Sequence, residues 1–319
     1  MKRLWHAREA STVAILVIEV LFFAWYLWPD GDRAHPFVNV GNGLLILKYS
    51  SIYGIAAIGA AIVIISGGID LAPGAVIALT SVVTGFCYVE AGWPLAPSAA
   101  AGLMVGVATG LLSSWLIVRI GLPAFIATQG VMGIARGLAL IITEARYYDL
   151  SRSLPPGSRL LGIPIDWLAP IVMLLGALVF QALMKQLKWG RHVFAVGGNE
   201  MAAVFSGLRV GWIKTSVYVV SGGLASVAGI VLAIAQGQGK ADLATGYELD
   251  IIASAVVGGA SLAGGRGSVI GAVLGALIFG VLRNALPQIP GATFYDRLIV
   301  GLVVIVIVVL DQVFVRHER

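Results

Sequence analysis

The chain has 319 residues and a mass of 33.3 kDa, with 59% hydrophobic and only 12% charged residues, a net charge of +5 and a mean hydropathy of +0.94. A water-soluble domain carries about 25% charged residues, so this chain lacks the polar groups to dress an aqueous exterior and reads as a membrane protein. Its one cysteine, Cys87, excludes an internal disulfide framework and a Cys-rich metal site. His6, His35, His192 and His317 fall in termini or polar loops, which argues against intramembrane metalloenzymes and hydrolases.

A helical crossing needs about 20 apolar residues. Runs of this kind, bounded by Pro, Gly or charge, predict ten segments at 11–28, 44–66, 71–91, 97–118, 123–143, 166–186, 213–236, 249–262, 267–286 and 296–315. Unbroken apolar runs such as 299–310 favour helices over the alternating pattern of a lipid-facing barrel. The expected fold is therefore all-α, a polytopic membrane helix bundle forming one domain over residues 1–319. The first segment follows Lys2, Arg3 and Arg8, ends in Trp25, Tyr26 and Trp28, and lacks a small-residue cleavage site; it reads as an uncleaved span with an aromatic belt. The eighth is short and glycine-interrupted, the pattern of a partial or re-entrant segment buried in the bundle, which would leave eight or nine full crossings.

Basic residues near the span ends set the expected orientation. With the N-terminus inside, Lys2, Arg3, Arg8, Arg119, Lys185, Lys188, Arg191, Arg209, Lys214, Arg266, Arg316 and Arg319 are cytoplasmic, twelve of the 21. Arg33, Lys48, Arg146, Arg152, Arg159, Lys240, Arg283 and Arg297 fall outside, several beside acidic residues such as Asp30 and Asp32, and Arg136 falls within a span. The bias predicts both termini inside. The positive charge then reflects membrane-flanking residues and implies no nucleic-acid partner.

Two hydrophilic stretches interrupt the spans. The outer one, 144–164, contains Pro155, Pro156, Gly157 and Pro164 and is expected to form a structured cap. The inner one, 187–214, is richer in signals. A short mixed piece, 191–196, leads to Gly197 and Gly198; Asn199 is placed as an N-cap, and 200–208 reads as a short helix with Met201, Val204, Phe205 and Leu208 as its apolar positions. Such a helix either rests that face on the bundle or lipid, or docks a cytoplasmic partner.

Two octets, at 67–74 (GGIDLAPG) and 258–265 (GGASLAGG), agree at the first, second, fifth, sixth and eighth positions. Both read as helix-breaking turns at corresponding places around a central pathway, where irregular backbone is tolerated only if buried in protein or facing water. The ladders Gly102, Gly106, Gly110 and Gly267, Gly271, Gly275 put small residues on one helical face, which close helix packing explains.

A charge at a helix centre costs roughly 2.5–3.5 kcal/mol on insertion scales, so the polar residues inside spans need an account. Asp70 at the mouth of the third segment and Arg136 in the fifth, with Thr128 and Gln129 shortly before it, are candidates for the translocation pathway; an ion pair or interfacial snorkelling is the alternative. Glu19 lies in the peripheral first span, a place for a contact with a neighbouring subunit. This sparse set fits a neutral cargo better than an ionic one. No stretch forms a phosphate-cradling loop, since Gly239-Lys240-Ala241 lacks both the hydroxyl and the upstream glycine. The chain therefore runs on a gradient, or a partner hydrolyses ATP for it.

The stretches GGIDLAPGAVIALTSVVTG (67–85), LPAFIATQGVMGIARGLALIIT (122–143), GRHVFAVGGNEMAAVFSGLRV (190–210) and GGASLAGGRGSVIGAVLGALIFGVLRN (258–284) resemble, in order, motifs of the ribose/xylose/galactose-type ABC importer permeases. Permeases for nucleosides or branched-chain amino acids are more distant relatives. The resemblance implies a bacterial inner-membrane permease that pairs with a second copy or a second permease. It also implies an ABC ATPase that uses ATP and Mg below the bundle, an extracytoplasmic sugar-binding protein above it, and a monosaccharide as cargo, with no cofactor in this chain and no catalytic residue. It places the ATPase-coupling element within 190–210, on Gly190, Arg191, Gly197, Gly198, Asn199, Glu200 and Met201. Ala72 and Pro73 depart from the family's usual GGIDLSVG. Two rivals remain: a gradient-driven transporter or facilitator of a small neutral solute, and an intramembrane enzyme, for which Ser261 lacks an adjacent base.

Overall fold

The computed structural model describes residues 2–28, 35–144, 146–151, 155, 157–160, 162–291, 295, 298, 299, 301, 302, 305 and 309. The predicted tenth segment, 296–315, lies outside the continuously described residues, and Asp30, Asp32, Arg33, Arg152 and Pro156 lie outside the described residues altogether. The helices are α1 (Lys2–Tyr26), α2 (Val40–Ile65), α3 (Pro73–Gly85), α4 (Leu95–Trp115), α5 (Ala124–Thr143), α6 (Ile165–Gln186), α7 (Lys188–Gly198), α8 (Glu200–Phe205), α9 (Val210–Gln236), α10 (Tyr247–Val257) and α11 (Val269–Ala285). Single π-helical turns, Phe86–Glu90 and Leu116–Ile120, continue α3 and α4.

Eight of these elements are long and apolar enough to cross a membrane, and they match eight of the ten predicted segments. The eighth segment, expected to be partial, is the 11-residue α10 followed by an irregular stretch. At 1.5 Å per residue α10 covers about 16 Å, half of a crossing. The second segment starts earlier than predicted, at Val40, because the Asn39 side chain accepts a hydrogen bond from the Asn42 N–H at 2.8 Å and caps the helix.

Helix α2 forms the centre, with 89% of its apolar window buried against 11% for α1. Its run of small residues, Gly54, Ala56, Ala57, Gly59, Ala60 and Ala61, lets α9, α11, α6 and α10 all pack closely around it. α4 and α9 cross at Gly106 and Gly222, where a methyl group on either would overlap the other's carbonyl oxygen. Of the second predicted ladder, Gly271 and Gly275 lie against Gly258 and Ser254. Gly267 does not belong to that face: it precedes α11 and packs beside Ile65 and Ala260.

The described residues of the 144–164 stretch include three short strands. β1 (Tyr147–Asp149) pairs antiparallel with β4 (Gln238–Lys240), and β2 (Arg159–Leu160) pairs with β3 (Ile163–Pro164). Leu150, fully buried, donates its N–H to the Gly237 carbonyl at 2.8 Å, and the Tyr148 hydroxyl donates to the Ile142 carbonyl at 2.9 Å. β1 and Leu150 thus fasten this stretch to the α9–α10 connection, and Tyr148 ties it to the end of α5.

Candidate coupling segment and pathway core

Residues 191–196, expected to be short and mixed, are the middle of α7. Gly197 and Gly198, expected to punctuate, form the last turn of α7, and packing holds the helix despite Gly190. Gly190 lies so close to Met184 of α6 that a methyl group would overlap its backbone, and Val193 and Val196 are buried one turn apart. Trp189 donates its indole N–H to Ser216 Oγ at 2.8 Å, while Arg191 is exposed and reaches only the Gln186 carbonyl at 3.3 Å.

Asn199 separates α7 from α8 in an extended conformation, and its Oδ1 accepts the Ala202 N–H at 2.9 Å. α8 is shorter than predicted because the chain turns at Gly207, whose φ is 78° and whose N–H reaches the Val204 carbonyl. Both oxygens of Glu200 accept from Lys214 Nζ at 2.7 Å, tying α8 to α9. Only Ala203 of α8 is buried; Met201, Val204 and Phe205 are 63%, 50% and 82% exposed. The apolar side chains therefore face away from the bundle, while Leu208 packs on the core. Gly190, Arg191, Gly197, Gly198, Asn199, Glu200 and Met201 thus lie on one continuous α7–α8 unit.

The two octets end their helices by the same hydrogen bonds, but one residue out of the register their sequences suggest. After α2, the Gly67 N–H donates to Ile64 and the Gly68 N–H to Val63, at 2.9 and 3.0 Å. After α10, the Gly259 N–H donates to Val256 and the Ala260 N–H to Ala255, both at 2.9 Å. Gly67 and Gly259 supply the left-handed residue, with φ of 84° and 94°. Gly67 is therefore the counterpart of Gly259, not of Gly258.

Between α2 and α3 the chain is irregular and largely buried. Asp70 accepts the Ala72 N–H at 3.0 Å on Oδ1 and the Ser221 hydroxyl at 2.8 Å on Oδ2, binding this stretch to α9. Thr128 Oγ1 accepts the Leu71 N–H at 3.2 Å and donates to the Ala124 carbonyl at 2.9 Å, binding it to α5. Arg136 is separate: its Nη1 donates to the Ala241 and Leu243 carbonyls at 2.6 and 2.9 Å. Gln129 is exposed on α5 beside Gly130, Gly133 and Gly137, none of which would bring a methyl group within 4 Å of a neighbour. The structure thus joins Asp70 and Thr128 through one backbone stretch and leaves Gln129 and Arg136 apart from them.

This geometry separates the charge of Asp70 from its hydrogen bonding. Asp70→Ala strands the Ala72 N–H and the Ser221 hydroxyl in a buried place and is expected to cost about 1–3 kcal/mol. Asp70→Asn keeps an acceptor for Ala72 and can donate to Ser221, whose hydroxyl then turns to a carbonyl of its own helix. Chemical unfolding of the two variants, with transport measured alongside, should find Asp70→Asn within about 1 kcal/mol of the parent and still active.

A second polar cluster has no counterpart in the sequence reading. Asp250 of α10, fully buried, accepts from Arg283 Nε and Nη2 of α11 at 3.1 and 2.8 Å. Tyr53 of α2 and Tyr247 of α10 pack beside this pair with ring centroids 4.5 Å apart. Among the described residues no group of three or more His, Cys, Asp or Glu is placed to hold a metal ion.

The ribose import permease RbsC of Haemophilus influenzae is 36% identical over 285 residues, 86% of each chain. Its Escherichia coli K12 namesake is 33% identical over 318 residues, 97% of this chain and 94% of its own. The L-arabinose ABC transporter permease protein AraH of Azospirillum brasilense is 33% identical over 324 residues, 99% of this chain and 91% of its own. No solved structure matches at a significant level. A family profile described as branched-chain amino acid transport system / permease component matches residues 43–308. With most of its length matched and apolar helices as its substance, the chain belongs to that family of transport permease components and is a multi-pass membrane subunit, not an enzyme.

Proposed function

We propose that this chain is the membrane-spanning subunit of an ATP-driven, binding-protein-dependent monosaccharide importer of the bacterial inner membrane. Two copies form the pathway. An ABC ATPase, which uses ATP and Mg, docks on the α7–α8 end, and an extracytoplasmic sugar-binding protein docks on the end bearing 144–164. Both termini then lie in the cytoplasm. The observation that carries the reading is the outward apolar face of α8, Met201, Val204 and Phe205, on a chain whose relatives are named for ribose, D-allose and L-arabinose transport. A cytoplasmic partner is what such a face needs.

In this reading 187–214 is the coupling segment. The open face of α5, with Gln129 among glycines, borders the route between the copies, while Asp70 and Thr128 hold the irregular backbone before α3 and Arg136 holds that before α10. ATP binding closes the ATPases, α7–α8 moves with them, and the bundle opens toward the binding protein; hydrolysis resets it. No bond of the sugar changes, so the permease needs no acid, base or nucleophile. Discriminating a polyhydroxylated cargo takes many paired hydrogen bonds, so selectivity resides mainly in the binding protein.

The test is uptake of labelled D-ribose, D-allose and L-arabinose into proteoliposomes. Accumulation of one of them is expected only when permease, ATPase, binding protein and ATP are all present. Uptake by the permease alone, or driven by an ion gradient without ATP, would overturn the reading.

A further inference from the structure

We propose that Gly197 is the positioning residue through which the α7–α8 segment moves the bundle. Its backbone is seated against both helix breaks at once. This inference rests on the coupling role given above to 187–214.

The end of α2, the end of α7 and the stretch between α10 and α11 meet in backbone-to-backbone contact. The Gly265 N–H donates to the Ile65 carbonyl at 2.8 Å, and Gly197 lies directly on that bond. A methyl group at 197 would overlap the Ile65 carbonyl oxygen and sit 2.7 Å from Gly265 N. A methyl group at Gly264 would lie 2.5 Å from the Gly197 carbonyl oxygen and 3.1 Å from the Gly67 Cα; one at Gly265 would lie 2.7 Å from the Gly198 Cα. Gly197 of α7 and Gly264 and Gly265 of the second octet are therefore required at one point by close approach, beside Gly67 of the first octet, which its φ of 84° requires.

Two features make this contact a lever. The stretch between α10 and α11 is stiff, because Ser261 N–H bonds the Arg266 carbonyl at 3.0 Å and Gly264 N–H bonds the Ser261 carbonyl at 2.9 Å. With no side chain interposed, a shift of α7 has no rotamer change to absorb it and passes straight to Ile65 and Gly265. From Ile65 it reaches the irregular stretch that Asp70 and Thr128 fasten to α9 and α5; from Gly265 it reaches α11. Discrete movement of packed elements is the form such transmission takes.

Gly223 of α9, outside the coupling segment, has open space where its side chain would be, so it serves as the control. Purified complexes of Gly197→Ala and Gly223→Ala with the ATPase are compared for uptake and for ATP hydrolysis with and without loaded binding protein. The expected result for Gly197→Ala is normal ATPase co-purification and basal hydrolysis within twofold, uptake reduced at least tenfold, and loss of stimulation by the binding protein. Gly223→Ala should stay within twofold of the parent throughout. Normal uptake by Gly197→Ala overturns the proposal, and so does loss of hydrolysis together with uptake.

A second measurement decides the matter if Gly197→Ala cannot be recovered. Spin labels are placed at exposed Ser206 and Ala263 of a Cys87→Ser background, and their separation is followed between nucleotide-free and ATP-trapped states. A constant separation, while both labels move relative to a third on α5, supports the proposal. A change of several ångströms overturns it. If the parent complex itself shows no ATP-driven uptake, the functional reading fails instead, and the two failures remain distinct.

Discussion

Asp250→Ala is expected to lower the stability of the folded permease by about 3–5 kcal/mol, the range for removing one partner of a buried ion pair. The carboxylate has no solvent exposure, and it accepts from two nitrogens of Arg283 across the α10–α11 contact. Truncation leaves the guanidinium among Tyr53, Tyr247 and the apolar side chains of three helices. The charge must then either stay there or drag the side chain outward. α10 has only 11 residues and relies on tertiary packing to stay helical, so the damage should spread to the break that follows it. The decisive comparison is a double-mutant cycle with Asp250→Leu and Arg283→Met. Replacing both charges by apolar groups of similar size should recover most of the loss, to within about 1–2 kcal/mol of the parent. Unfolding in detergent micelles, followed by tryptophan fluorescence, reads all four corners. A single Asp250→Ala within 1 kcal/mol of the parent would mean that the pair is not what joins α10 to α11.

That pair marks a limit of what the chain discloses by itself. Asp250 and Arg283 stand 33 positions apart, and a basic residue at a span end has an ordinary membrane-flanking explanation, so nothing local singles out their contact. The spans were legible because each needs its own long apolar run. The incomplete eighth was legible too, because it is short and glycine interrupts it. The helicity of α7 was hidden: 191–196 reads as a short mixed piece punctuated by Gly197 and Gly198 until the backbones of Met184, Ile65 and Gly265 are known to press against Gly190 and Gly197. The octets show a subtler limit. Residue identity aligned Gly67 with Gly258, but a helix-ending hydrogen-bond pattern is counted from the last turn of the preceding helix, and that count pairs Gly67 with Gly259. Asp70 and Thr128 were visible as polar residues costly to bury. Their joint hold on the Ile69–Ala72 backbone was not, because their partners, Ala72, Ser221 and Leu71, are defined only by the fold.

Phe205→Asp should break attachment of the ATPase while leaving the permease itself intact. The apolar positions of 200–208 could be read from composition, but their direction could not, since a six-residue helix can turn the same residues inward or outward. Here Phe205 is 82% exposed, with Met201 one turn before it, and α8 anchors itself by Ala203, the Asn199 cap and the Glu200–Lys214 ion pair. Removing an exposed side chain that carries none of those anchors should shift unfolding by no more than about 0.5 kcal/mol. In the complex the same residue would be a buried aromatic anchor, a class whose loss costs 2 kcal/mol or more, and the new carboxylate adds its own desolvation cost. About 3 kcal/mol in total corresponds to roughly a hundredfold weaker binding. Titration of the ATPase onto permease in nanodiscs should find that loss, with ATP-driven uptake falling more than tenfold. Phe205→Leu, which keeps an apolar side chain, should keep most of both. If Phe205→Asp binds the ATPase as the parent does, the exposed face of α8 meets lipid headgroups or water instead, and coupling must enter the bundle elsewhere.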